Sequence, residues 1–187
     1  MHSLSRVELL TRNFNAMQGL RFVPLALWLT VSGISDVLPG DKGLFGVVWL
    51  LMLPVCFGLY AVAAAYYRRQ YGEVVDAPVP SQVALDALLA GLVIVLGLVE
   101  IALRPPVSPM FLTLAGYTAY RWWLTGRVFA HYPALAVLAL VTALLPLLLP
   151  AVPRDELLTL AVGVFWLANS VLDHLALTRA LRVPGEG

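Results

Sequence analysis

The sequence predicts an all-α integral membrane protein with six transmembrane helices, and three observations carry that expectation. Of 187 residues, 60% are hydrophobic and only 12% charged, where a soluble domain of this size carries about 25% charged residues. The mean hydropathy of +0.86 is not spread evenly. It is concentrated in long apolar runs, and runs of about 18 or more residues with few charges read as membrane-crossing helices. Polar breaks rich in Pro, Gly and Arg separate these runs. Together the runs occupy most of the chain, so residues 1–187 are expected to form a single membrane domain.

Before the first run, Leu4, Val7, Leu10, Phe14 and Met17 recur at spacings of three and four over residues 3–20. Arg6, Glu8, Arg12 and Asn13 fall largely on the other side. This pattern predicts a short helix lying in the headgroup region, with a solvated helical tail as the alternative. The six spans are then expected at about 22–39, 44–66, 83–103, 107–125, 128–150 and 156–178. Pro39-Gly40-Asp41-Lys42-Gly43 closes the first, because proline and glycine do not continue a helix cheaply. The connection from Arg68 to Pro80 is the longest and most polar. Arg104-Pro105-Pro106, Gly126-Arg127 and the segment from Pro150 to Glu156 mark the remaining breaks.

Basic residues in short loops set orientation. Arg6, Arg12, Arg21, Arg68, Arg69, Arg121, Arg127, Arg179 and Arg182 fall on the N-terminal side of the six-span scheme. Lys42, Arg104 and Arg154 fall on the other. Nine against three places a multi-pass protein in the plasma membrane with both termini cytoplasmic, which an even number of spans allows.

The hairpins resemble one another. Gly33-Ile34-Ser35-Asp36 and Gly97-Leu98-Val99-Glu100 both set a carboxylate three residues after a glycine near an outer end. The even-numbered spans end in Tyr66-Tyr67-Arg68, Tyr120-Arg121-Trp122 and Asp173-His174-Leu175. Three two-helix units repeated in parallel are one reading. The other is that apolar helices flanked by interfacial Tyr, Trp and Arg all look alike.

Several functions are excluded by what the chain lacks. A net charge of +1 without a basic cluster gives no reason to expect nucleic acid. The single cysteine, Cys56, cannot form an intrachain disulfide or a Cys-rich metal site. His2, His131 and His174 form no closely spaced pair, and GxSxG, HExxH, P-loop and GxGxxG signatures are all missing. No cofactor is expected.

Charged residues inside a membrane span cost about 2.5–3.5 kcal/mol at its centre, so depth decides which of them inform. Asp36, Asp86, Glu100 and Arg121 sit near span ends, where anchoring and solvation explain them. The sixth span is richer. Trp166, Asn169, Ser170, Asp173, His174 and Thr178 follow one another within a few turns, with Asn169 and Asp173 four apart on one face. So polar an edge must face other helices or a wet cavity. Arg121 is the expected counter-ion of Asp173. Tyr60, Tyr117 and Trp166 lie deep enough to line a pocket, whereas Tyr66, Tyr67, Tyr71, Trp122, Trp123 and Tyr132 read as an interfacial aromatic belt.

The expectation is a non-enzymatic membrane protein that binds or passes a small solute, with Asp173, His174, Asn169, Arg121 and Tyr117 along its path. A structural or regulatory subunit of a larger membrane complex, or a homo-oligomer, is the alternative, with the polar row serving as interhelical glue. A weaker third reading is an intramembrane enzyme using Asp173 and His174 as acid and base. Membrane lipids are expected partners in every case.

Overall fold

The computed structural model describes residues 14, 17–37, 42–71, 80–125, 129–150 and 154–181. Every regular element among them is helical. A 3-10 turn, Gly19–Arg21, precedes α1 (Val23–Val37), α2 (Lys42–Tyr71), α3 (Pro80–Leu103), α4 (Pro109–Leu124), α5 (His131–Leu148) and α6 (Arg154–Leu181).

The six-span expectation is overturned. Among the described residues three helical stretches are long and apolar enough to cross a membrane: Trp49–Tyr71, His131–Leu148 and Leu157–Leu181, of 23, 18 and 25 residues. At about 1.5 Å per residue these span about 34, 27 and 38 Å, against a hydrocarbon core of about 30 Å. The expected first and third spans shrink to the shorter apolar helices Val23–Ser35 and Ala87–Leu103. Asp86 interrupts the apolar run of the third. The expected fourth span is α4, which has 16 residues, begins only at Pro109 behind the Ser108 N-cap and carries Arg121 in its last turn. Multiple apolar helices still support a multi-pass membrane location.

The helix expected over residues 3–20 lies largely outside the described residues. Phe14 and Met17 are buried, and only the 3-10 turn follows them. The breaks expected at 126–127 and 151–153, and most of those at 39–43 and 68–80, likewise lie outside.

Contacts divide the chain into two compact units, Met1–Ala77 with Val162–Gly187, and Pro78–Ala161. Three equivalent hairpins are therefore not the organisation. α3, α4 and α5 belong to one unit, and the expected hairpin of the fifth and sixth spans is divided, because α6 passes from the second unit into the first.

In the first unit, α1 runs antiparallel to α2. Phe22 meets Tyr60, the Cys56 thiol donates to the Pro24 carbonyl at 3.4 Å, and Trp28 stacks on Trp49 while its Nε1 donates to the Trp49 carbonyl at 3.2 Å. α1 also runs antiparallel to α6. A Cβ on Gly163 would lie 2.4 Å from the Thr30 backbone nitrogen, and one on Gly19 would lie 1.8 Å from the Ser170 carbonyl oxygen. Glycine is required at both points because backbone occupies the space a side chain would need. Being antiparallel to the same helix, α2 and α6 run parallel, and their C-terminal ends meet where Tyr67 touches His174.

α2 keeps almost none of its apolar stretch buried. Leu50, Leu51, Phe57 and Val62 are among the large side chains left exposed, a surface far too apolar to face water. Pro54 lies inside this helix and Pro146 inside α5, and both helices continue through them.

In the second unit, α4 and α5 form an antiparallel pair. The Ser108 amide donates to the Ala143 carbonyl at 2.9 Å, and Arg121 reaches Tyr132 near the other end. Phe111, Leu114, Leu135 and Ala139 fill the space between. Buried Thr118 and Thr142 hydroxyls return to carbonyls one turn back, so their polar atoms stay satisfied within an apolar setting.

Candidate functional site

The polar row of α6 lies in the first unit. Asn169 Nδ2 donates to Asp173 Oδ2 at 3.0 Å, as the four-residue spacing requires. Asp173 is only 4% exposed, so its carboxylate is held away from lipid and water alike. Ser170 is buried beneath Gly19, on the side of α6 that packs against the chain leading into α1.

His174 has a partner that sequence reasoning missed. Tyr67, at the C-terminal end of α2, has no exposed surface. Its phenol oxygen lies 2.8 Å from His174 Nδ1 and accepts the Leu20 amide at 3.3 Å. The phenol can donate its own proton to Nδ1 while it accepts from the Leu20 amide. The tyrosine thus orients the ring. Tyr66 packs edge-on against both Tyr67 and Tyr71, Tyr71 lies tilted beside Tyr67, and Phe14 closes on Tyr71 at 6.2 Å between ring centroids. The reading of Tyr67 as an interfacial belt residue is corrected. A signal was available: Cys56 and Tyr67 lie about three turns apart on one face of α2, and both are buried.

Arg121 and Tyr117 belong to the second unit. Arg121 Nη2 donates to the Tyr132 hydroxyl at 3.2 Å, with the guanidinium carbon 5.6 Å from the ring centroid. Both a charge-assisted hydrogen bond and a cation–π contact therefore hold it. Tyr132, expected in the aromatic belt, is buried. Tyr117 lies one turn before Arg121, half-buried. Tyr60 and Trp166 present their rings at the surface of the first unit.

A second charged cluster corrects another reading. Glu100, expected to be solvated near an interface, has no exposed surface. Its Oε1 meets Arg154 at 2.7 Å and its Oε2 accepts from the Ser108 hydroxyl at 2.6 Å. The clue lay in the topology, because Glu100 and Arg154 were both expected at outer ends of the helices. The side chains of Asp36 and Asp86 lie outside the described residues. Among the described residues no three His, Cys, Asp or Glu side chains converge to hold a metal ion.

Compared with protein families, curated proteins and solved structures, the chain matches none.

Proposed function

We propose that the chain is a multi-pass membrane protein that binds, and passes, a small hydrogen-bonding or cationic solute at the Asp173–His174 row, without transforming it. One observation carries this reading. A buried carboxylate braced by Asn169 is followed in the chain by an imidazole hydrogen-bonded to the buried Tyr67. On this reading Asp173 and His174 are the hydrogen-bonding groups that a solute entering the row would meet. A structural helix contact needs no ionisable side chains, whereas an intramembrane ionisable residue is a functional-site hypothesis by default.

The proposal includes a cytoplasmic placement of the Tyr67–His174 end of the first unit. Arg21, Arg68, Arg69 and Arg179 all lie within about two turns of the Tyr67–His174 contact. An end so rich in arginine is the one retained inside.

The test is thermal unfolding of the detergent-purified protein, followed by tryptophan fluorescence, across a panel of small organic cations and zwitterions. A solute that stabilises the wild type should lose its effect in both Asp173→Asn and His174→Gln. Equal stabilisation of wild type and variants by every active solute would overturn the proposal. A second reading, a subunit docking on a larger membrane complex, draws on the exposed apolar surface of α2. It is favoured instead if a stoichiometric partner chain co-purifies and Asp173→Asn leaves that association intact.

A further inference from the structure

We propose that the arginine-rich end of the first unit binds the phosphate of an anionic phospholipid. The inference rests on membrane location, not on the solute reading above. It starts from the contact of Tyr67 with His174, which brings the ends of α2 and α6 to one level. Leu20 joins them through its amide. Arg21 follows Leu20, Arg68 and Arg69 follow Tyr67, and Arg179 lies one to two turns beyond His174. Arg68, Arg69 and Arg179 are exposed. Asp173 is the one acidic residue among the described residues at this end, and it is buried and bonded to Asn169.

Depth points to lipid headgroups. Counting about 20 residues of helix for the hydrocarbon core, a helix entering at Trp49 leaves near Arg68 and Arg69. One entering at Leu157 leaves just before Arg179. The two apolar stretches are read independently, yet both deliver their arginines to the headgroup level on the same side. Tyr66 and Tyr71, amphipathic rings suited to that level, stand among them.

Arg21 adds a directional argument. Its Nε is buried and has no hydrogen-bond partner among the described residues. A buried guanidinium donor left unmatched calls for an acceptor, and the planar fork of arginine fits two phosphate oxygens at once. The flanking arginines supply the field that draws an anionic headgroup to it.

The experiment reconstitutes the full chain in nanodiscs holding equal amounts of phosphatidylglycerol and phosphatidylcholine, then measures which lipid stays bound on native release. The wild type should retain phosphatidylglycerol in excess. Removing Arg21, Arg68 or Arg69 as Gln should each cut that preference about fivefold, the fold-change for about 1 kcal/mol per basic residue. Arg68→Gln with Arg69→Gln touches only exposed side chains, so the test survives if Arg21→Gln fails to fold. Arg104→Gln, at an exposed arginine of the second unit, should leave the preference unchanged. No preference for phosphatidylglycerol, or an equal loss in Arg104→Gln, would overturn the proposal. Displacement of the retained lipid by millimolar inorganic phosphate would assign the site to free phosphate and overturn the lipid assignment.

Discussion

Glu100 and Arg154, 54 residues apart in sequence, close an ion pair of 2.7 Å in which the carboxylate has no exposed surface. The other carboxylate oxygen takes the Ser108 hydroxyl. That same hydroxyl caps α4 by accepting the Phe111 amide at 3.3 Å, while the Ser108 amide bonds the Ala143 carbonyl. One carboxylate thereby links the end of α3, the start of α4, the middle of α5 and the first residue of α6. Burying the pair strips water from two charges, and its geometry must offset that loss.

Removing one partner should therefore cost far more than removing both. Arg154→Met leaves an uncompensated buried carboxylate, and Glu100→Leu leaves an unmatched guanidinium; each is expected to destabilise the protein by about 3–5 kcal/mol. The combined variant should lose much less than the sum. Chemical denaturation in detergent, run as a double-mutant cycle, measures the coupling. Strictly additive losses would mean the pair contributes nothing to the fold of its unit.

The contact of α6 with α1 gives a steric prediction. Alanine at Gly163 would drive its Cβ against the Thr30 backbone, which has no flexible end to yield. Overpacking of this kind costs about 1–3 kcal/mol. Gly58→Ala is the comparison, because nothing lies within 4 Å of a Cβ there. It should be neutral or stabilise by up to about 1 kcal/mol, the difference in helix propensity. Thermal melts of the two variants in one detergent decide the matter, and equal behaviour would refute the close approach.

These relationships mark what the sequence could disclose. The bond from Asn169 to Asp173 was legible, because residues four apart on a helix are neighbours by geometry alone. Helical class and apolar character were legible from composition. Span number was not, because hydropathy records where apolar residues lie and not where a helix starts. The Ser108 cap, Pro109 and the Thr125 amide bonded back to Arg121 limit α4 to 16 residues. α3, by contrast, runs from Pro80 to Leu103, and its apolar stretch begins only after Asp86. The partners of His174 and Glu100 were also hidden, because they lie 107 and 54 residues away. Local periodicity carries no information about such pairings, and belt-like neighbours such as Tyr66 and Arg68 disguised the buried Tyr67.

Tyr67 is expected to be the sensitive member of its aromatic cluster. Tyr67→Phe removes the oxygen that serves both the Leu20 amide and His174 Nδ1. Leaving such groups without a partner costs about 1–3 kcal/mol. Tyr66→Phe, at an exposed neighbour, should change stability by less than about 0.5 kcal/mol. Replacing Tyr67 and His174 together by Phe should recover part of the loss, since removing both partners of a bond is less harmful than removing one. Melting temperatures of the four proteins test this. Equal losses for Tyr66→Phe and Tyr67→Phe would argue against the bond.

The final prediction concerns how the long helices cross the membrane. Gln70 lies beside Tyr67, and Arg179 lies shortly after His174, so the contact between those two residues sets both positions at one end of the first unit. Gly46 lies near the opposite end of α2, about 36 Å from Gln70 along the helix at 1.5 Å per residue. Gly46, Gln70 and Arg179 are all exposed, so cysteines there can be reached. The background is Cys56→Ala, which removes the single native thiol and only a weak bond to the Pro24 carbonyl. In intact cells an impermeant thiol reagent should modify a cysteine at Gly46 and spare those at Gln70 and Arg179. Once the membrane is permeabilised, all three should react. Labelling of Gln70 and Arg179 but not Gly46 in intact cells would keep the crossing and reverse the proposed orientation. Labelling of Gly46 and Gln70 from the same side would show that α2 does not cross at all, and the membrane-spanning reading of Trp49–Tyr71 would fall with it.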